Sequence, residues 1–165
     1  MKIALYAGTF DPLTLGHLSV IQRASQVFDS LLVVLAENPS KRPYFTLEER
    51  LAFLHDAISG FTNVEACCSH GLVVELAVAR GARFLVRGVR GATDADYEAE
   101  LAAANAALAP EIQTILLPAD PQLSKVSSSR LKQLAATGCD VSAYATPLVA
   151  RALAAAFASQ EQNHA

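Results

Sequence analysis

Ile3-Ala4-Leu5-Tyr6-Ala7-Gly8-Thr9-Phe10-Asp11-Pro12-Leu13-Thr14-Leu15-Gly16-His17 is the stretch on which the reading of this chain turns. Its first five residues are a short apolar run of the kind that forms a buried strand. Beyond it, Val20, Ile21, Ala24, Val27 and Phe28 recur at helical spacing. A strand therefore passes through a polar, glycine-bearing turn into a helix. Such a turn points unpaired backbone N–H groups and the positive end of a helix dipole at one spot, an arrangement suited to phosphate. Gly8 permits close backbone approach, Thr9 adds a hydroxyl just past the strand, and Thr14 is a candidate helix cap. Gly16-His17 sets an imidazole in or near the first helical turn, facing the same spot.

The same alternation continues outward. Residues 31–36, all apolar and rich in Leu and Val, read as a strand covered on both faces, as in a parallel sheet. The loop after it holds two prolines and the adjacent bases Lys41 and Arg42. Thr46-Leu47-Glu48-Glu49 is a capping box, and Leu47, Leu51, Leu54 and Ile58 share one face of the helix it opens. Glu48, Glu49 and Arg50 read as a solvated first turn. Residues 64–67 and 84–86 are the third and fourth strands, with a helix bearing Leu72, Val73, Leu76 and Ala79 between them. Arg87-Gly88-Val89-Arg90-Gly91 follows the fourth strand and leads to a helix over about 94–108. Tyr97, Leu101, Ala104 and Leu108 form its apolar face, with Glu98 and Asn105 on a neighbouring one. Residues 112–117 are the fifth strand. Val126-Ser127-Ser128-Ser129-Arg130 starts a helix that stops at Gly138, and Thr146-Pro147 starts a last one through Phe157.

Five strands alternating with helices predict a Rossmann-like, doubly wound, five-stranded parallel sheet in three αβα layers, closed by C-terminal helices. The spacing predicts one domain over residues 1–158 and a polar tail over 159–165. At 165 residues with 52% apolar content the chain can bury a substantial core. It has no apolar run long enough to span a membrane and no leader-like start, which predicts a cytoplasmic protein. Its net charge of −3 argues against general nucleic-acid binding. Cys67, Cys68 and Cys139 read as reduced packing residues.

In such sheets ligands sit beyond the carboxyl ends of the strands. Thr9 follows the first strand, Lys41 the second, residues 71–73 the third, Arg87 and Arg90 the fourth, and Ser127, Ser128 and Ser129 the fifth. A cluster of His17, Lys41, Arg42, Arg87 and Arg90 in a net-negative chain points to a strongly anionic ligand, most simply a polyphosphate. Arg87 and Arg90 have a second reading, as ion-pair partners of Asp94, Asp96 or Glu98. No Ser-His-Asp or Cys-His arrangement is visible.

Thr14-Leu15-Gly16-His17 resembles the Thr-x-Gly-His version of the His-x-Gly-His motif of nucleotidyltransferases. Further blocks, in order and spacing, resemble the bacterial phosphopantetheine adenylyltransferases: Tyr6-Ala7-Gly8-Thr9-Phe10-Asp11-Pro12, Asn38-Pro39-Ser40-Lys41, Phe45-Thr46-Leu47-Glu48-Glu49-Arg50, Arg87-Gly88-Val89-Arg90, Asp96-Tyr97-Glu98 and Val126-Ser127-Ser128-Ser129. The resemblance implies transfer of the adenylyl group of ATP, with Mg²⁺, to 4′-phosphopantetheine, giving dephospho-coenzyme A and pyrophosphate in coenzyme A synthesis. It implies that Thr9 and Phe10 meet phosphates and that His17 stabilises the transition state. It places Thr9, Lys41, Val73 and Arg87 on the pantetheine substrate. ATP would be contacted by Thr9, Phe10, His17, Gly88, Val89, Arg90, Glu98, Leu123, Ser124, Lys125, Val126, Ser127, Ser128 and Ser129. The catalytic group is then His17, Lys41, Arg90 and Ser128, with no residue assigned to the metal. A homohexamer, and coenzyme A as a feedback ligand, are also implied, with no nucleic-acid or membrane partner. Ala7, Gly71 and Leu123-Ser124-Lys125 depart from the family pattern, which more often has proline, an acid and aromatics there.

Overall fold

The apolar runs become five parallel strands, and the order in which they pair decides where a ligand can sit. The computed structural model describes residues 1–37 and 42–162. Strands β1 (Ile3–Gly8), β2 (Ser30–Ala36), β3 (Val64–Ser69), β4 (Phe84–Val89) and β5 (Gln113–Pro118) alternate with helices α1 (Leu15–Val27), α2 (Leu47–Ile58), α3 (Val73–Ala79) and α4 (Ala92–Leu108). Two further helices, α5 (Ser128–Ala136) and α6 (Pro147–Gln162), complete the described chain. The sheet order is β3-β2-β1-β4-β5, all parallel, with Tyr6 of β1 paired to Val33 of β2 on one side and Val86 of β4 on the other. The winding therefore reverses between β1 and β4. At that reversal the two flanking connections leave toward opposite faces, and a crevice opens beyond the strand ends.

The two faces of the sheet are covered unequally. One face packs a large core including Val20, Ile21, Phe28, Phe53, Leu54, Leu131 and Leu153. The other has a smaller core, in which Leu5, Val34 and Leu85 meet Val74, Ala77 and Ile112. The predicted caps are present. Thr46 accepts from the Glu49 N–H and Glu49 reaches back to the Thr46 N–H. The last helix begins at Pro147 with Thr146 before it, and it continues past Phe157 to Gln162.

Three expectations are corrected. Cys68 and Cys139 are exposed and are not packing residues. Arg50 is not part of a solvated turn; it is 2% exposed and among the most buried side chains of the molecule. The predicted apolar face of α4 does not meet the sheet: Tyr97 and Leu108 are 60% and 65% exposed, while Glu98 is buried. The sheet-facing stripe is the neighbouring one, through Ala95, Glu98, Ala102 and Asn105. Glu98 on that stripe pairs with Arg87 on β4.

Candidate active site

A cavity of about 860 Å³ lies beyond the carboxyl ends of the strands, at the reversal between β1 and β4. Its size falls within the range of small-molecule sites. Its first wall is the β1–α1 turn. Phe10 has φ of 45°, a left-handed conformation uncommon for a bulky residue. Its ring folds back over Gly8, where a Cβ would lie 2.9 Å from the ring edge. Phe10 also meets the rings of Tyr6 and His17 edge-on, the latter at 5.2 Å and 90°. Backbone strain of this kind persists only where the surroundings over-determine it.

They do so here through two buried ionic side chains. Asp11 Oδ1 accepts from the Phe45 N–H, and Oδ2 accepts from the Tyr44 N–H and from Lys132 Nζ at 2.8 Å. Burial would raise the Asp11 pKa, but Lys132 and the two backbone donors outweigh it and hold the carboxyl below its ordinary value. Arg50 donates from Nη1 to the Thr9 carbonyl and from Nε to the Phe45 and Thr46 carbonyls, with Glu37 3.6 Å from Nη2. Together these groups pin the turn to the start of α2 and to α5.

His17 is the third residue of α1 and takes the role that Glu or Gln usually plays in a capping box. The His17 N–H donates to Thr14 Oγ1, and the Thr14 N–H donates to His17 Nδ1 at 3.1 Å. A nitrogen that accepts a backbone N–H carries no proton, so in the neutral ring the proton sits on Nε2. Burial, aided by the Arg90 charge, pushes the His17 pKa down to about 4. At neutral pH the cavity therefore holds an uncharged imidazole whose Nε2 is an N–H donor.

The second wall is the β4–α4 connection. Arg87 donates from Nε and Nη2 to Glu98 at 2.6 and 2.8 Å, and from Nη1 to the Ala7 carbonyl. Burial disfavours the Arg87 charge, but the Glu98 carboxylate more than offsets this. Of five guanidinium N–H groups, two remain for a ligand. Arg90 pairs with Asp94, Nε to Oδ2 at 2.8 Å. Gly88 between them lets α1 pack close, since a Cβ there would come within 2.9 Å of Val20 Cγ2. The two readings of Arg87 and Arg90 were not exclusive: both line the cavity, and each also has a carboxylate partner.

The third wall is the start of α5. Ser127 is its N-cap, accepting from the Arg130 N–H, and the Ser128 hydroxyl donates to the Pro12 carbonyl. The first turn of α5 holds no acid, leaving its positive end uncompensated.

Of the residues expected at the site, Thr9, Phe10, His17, Val73, Arg87, Gly88, Arg90, Glu98, Leu123, Val126, Ser127, Ser128 and Ser129 line one cavity, with Arg42. Val89, Ser124 and Lys125 do not; Ser124 turns its hydroxyl to the Pro121 carbonyl and Lys125 is exposed. Lys41 lies outside the described residues. Sequence reasoning missed Asp11, Arg50 and Lys132, whereas Asp94 was among the ion-pair partners it offered for Arg90. The one available signal was Asp11, a carboxylate inside the turn with two prospective N–H donors upstream of Thr46. Among the described residues no group of three or more His, Cys, Asp or Glu could hold a metal ion. Of the cavity carboxylates, Asp11, Asp94 and Glu98 are each paired with a cation, and Glu37 lies against Arg50 and His70.

Residues 5–134 match the Cytidylyltransferase-like family. The chain is 46% identical over 144 residues to a phosphopantetheine adenylyltransferase of Limosilactobacillus reuteri, covering 87% of this chain and 83% of the relative. It is 41% identical over 165 residues to one of Herpetosiphon aurantiacus, covering both chains completely. A solved structure from Vibrio parahaemolyticus, described as a nicotinate-nucleotide adenylyltransferase, superposes with a TM-score of 0.64 at 24% identity over 93% of this chain and 91% of that one. At that identity the likeness supports the fold alone.

Proposed function

The chain belongs to the cytidylyltransferase-like family and, within it, to the phosphopantetheine adenylyltransferases, and from that premise we propose that it transfers the adenylyl group of ATP to 4′-phosphopantetheine, releasing pyrophosphate and dephospho-coenzyme A. One observation carries the mechanism: the cavity holds a neutral His17 whose Nδ1 is tied to Thr14, leaving the Nε2 proton to be donated. Nucleotidyl transfer needs in-line placement and charge cancellation more than a protein nucleophile. The substrate phosphate attacks the α-phosphorus directly, and the P–O bond to pyrophosphate breaks as the new P–O bond forms. His17 Nε2–H donates to a non-bridging α-phosphate oxygen, where charge gathers in the transition state.

The start of α5, with Ser128 and Ser129, faces the β- and γ-phosphates, and Arg90 lies across the cavity as a further cation. Arg87, held by Glu98 and the Ala7 carbonyl, presents its two remaining N–H groups to the phosphate of the acceptor, and Lys41 is proposed to join it. Val73 lines the path of the pantetheine arm. Asp11, Glu37, Asp94 and Glu98 each already face a basic side chain, so Mg²⁺ is proposed to arrive on the ATP phosphates, where it would supply charge neutralisation. Cys67, Cys68 and Cys139 do not line the cavity.

We take residues 1–158 as the catalytic domain. Exposed Tyr97, Leu108 and Leu116 on one side of the sheet support self-association, which we propose to be the hexamer. No helix is long and apolar enough to cross a membrane; we propose a cytoplasmic enzyme, with coenzyme A as its feedback ligand. A panel of acceptors assayed for pyrophosphate release tests the reaction. Release with 4′-phosphopantetheine, and not with nicotinate mononucleotide or glycerol phosphate, is expected. Stoichiometric ATP binding with no release for any acceptor would instead indicate a non-catalytic nucleotide-binding module.

A further inference from the structure

Three cation–carboxylate pairs border the cavity, and they differ in how easily a ligand could take the carboxylate's place. Glu98 is 9% exposed and meets Arg87 through two parallel hydrogen bonds, so a phosphate that displaced it would strand a buried charge. Asp11 is 10% exposed and accepts two backbone N–H groups besides Lys132. Asp94 is different. It and Arg90 are 31% and 47% exposed, one turn apart on the surface. Asp94 Oδ2 accepts from the Arg90 backbone N–H at 3.2 Å and from Arg90 Nε at 2.8 Å, while Oδ1 lies 3.4 Å from Nη2.

A backbone N–H at a helix start together with two N–H groups of one guanidinium is the donor set that recognises a phosphate oxyanion. The helix itself has no side-chain cap, because Gly91 stands at that position. We propose that Asp94 is an internal, displaceable anion: it occupies the phosphate position of Arg90 while the site is free of nucleotide, and a bound phosphate must expel it. The inference rests on the polyphosphate reading of the site. Its consequence is that Asp94 sets how tightly phosphate is held. An expelled Asp94 carboxylate remains beside the bound phosphate and repels it, which speeds departure of pyrophosphate. Exchange costs little, because both partners are already in contact with water. The effect is confined to ligands that carry phosphate.

Isothermal titration of the full chain with inorganic pyrophosphate, and separately with adenosine, at fixed ionic strength tests this. Asp94→Asn retains an oxygen for the Arg90 N–H, so the helix start keeps its acceptor. Pyrophosphate is expected to bind Asp94→Asn about threefold more tightly than wild type, within the range of an exposed ion pair, with adenosine affinity unchanged. Equal or weaker pyrophosphate binding by the variant overturns the proposal and makes Asp94 a positioning residue for Arg90; so does a parallel shift for adenosine. If Asp94→Asn melts well below wild type, Asp94→Ser, another residue suited to a helix start, carries the same expectation. A wild type that binds neither pyrophosphate nor ATP removes the functional reading and this one with it. Wild-type binding without tightening in the variant removes this one alone.

Discussion

On the wall that carries His17, polar groups are held from several directions at once; on the wall that carries Arg90, the ion pair stands in water. Asp11 has three donors, Arg50 spans three carbonyls, and Phe10 is kept in a left-handed conformation by the packing around it. Arg90 has its carboxylate partner four residues on, in the first turn of α4, and both are substantially exposed. The difference separates two requirements. A donor that must meet a transition-state oxygen gains from a fixed position, since misplacement costs rate steeply. A cation that must take up and give up a phosphate gains from a partner it can exchange. Arg87 is intermediate, bonded to a buried carboxylate yet with donors left over.

The largest effect should come from the rigid wall. His17→Ala is expected to lower turnover about a hundredfold or more, the loss typical of removing one preorganised oxyanion donor, with ATP affinity nearly unchanged. Steady-state kinetics paired with direct ATP titration checks this, and a change confined to KM would remove the assigned role. Next is Asp11→Asn, which puts an amide N–H against the Tyr44 N–H and leaves Lys132 uncompensated. Breaking a buried pair of this kind should cost about 2–3 kcal/mol, a fall in Tm of roughly 5–10 °C by calorimetry. On the other wall Asp94→Asn should cost well under 1 kcal/mol. Equal losses for the two variants would erase the distinction between the walls.

A separate test concerns pH. The His17 pKa in the folded chain is about 4, against an ordinary value near 6.5. Between those values the unfolded ring binds a proton that the folded ring refuses, so the unfolded state binds more protons and stability rises with pH. His17 thus contributes fully above about pH 6.5, and the contribution is lost as pH falls through about 4. Urea titrations at pH 7 and pH 5 should show wild type losing more stability than His17→Ala. The pH–rate profile should show no acid limb from this group near pH 6, because the Nε2 proton donor is the same neutral ring throughout.

Much of this architecture was legible in the chain because its signals are local. Apolar runs of strand length, helical spacing, the Thr46–Glu49 capping box and Thr146-Pro147 each depend on residues a few positions apart, and each appears in the structure. Parallel strands require crossovers that place their carboxyl ends on one side, so the clustering of Thr9, Arg87, Arg90 and Ser128 follows from strand order plus alternation. The misreadings arose where a distant partner overrides a local pattern. Arg50 reads as solvent-facing beside two glutamates, but three backbone carbonyls take up its donors in the interior. The α4 stripe of Tyr97, Leu101, Ala104 and Leu108 looks like a core face, but Tyr97 and Leu108 are exposed while Glu98 is buried against Arg87 of a distant strand.

By itself the sequence determined which segments form strands, helices and caps, and so which residues follow the strand ends, because hydrophobic period and capping chemistry act over one or two turns. Only the tertiary structure decided the protonation of the His17 ring, the burial of Arg50, and which cation has a solvent-exposed partner. Those depend on burial and on bonds between residues as far apart as Asp11 and Lys132, and no local pattern encodes them.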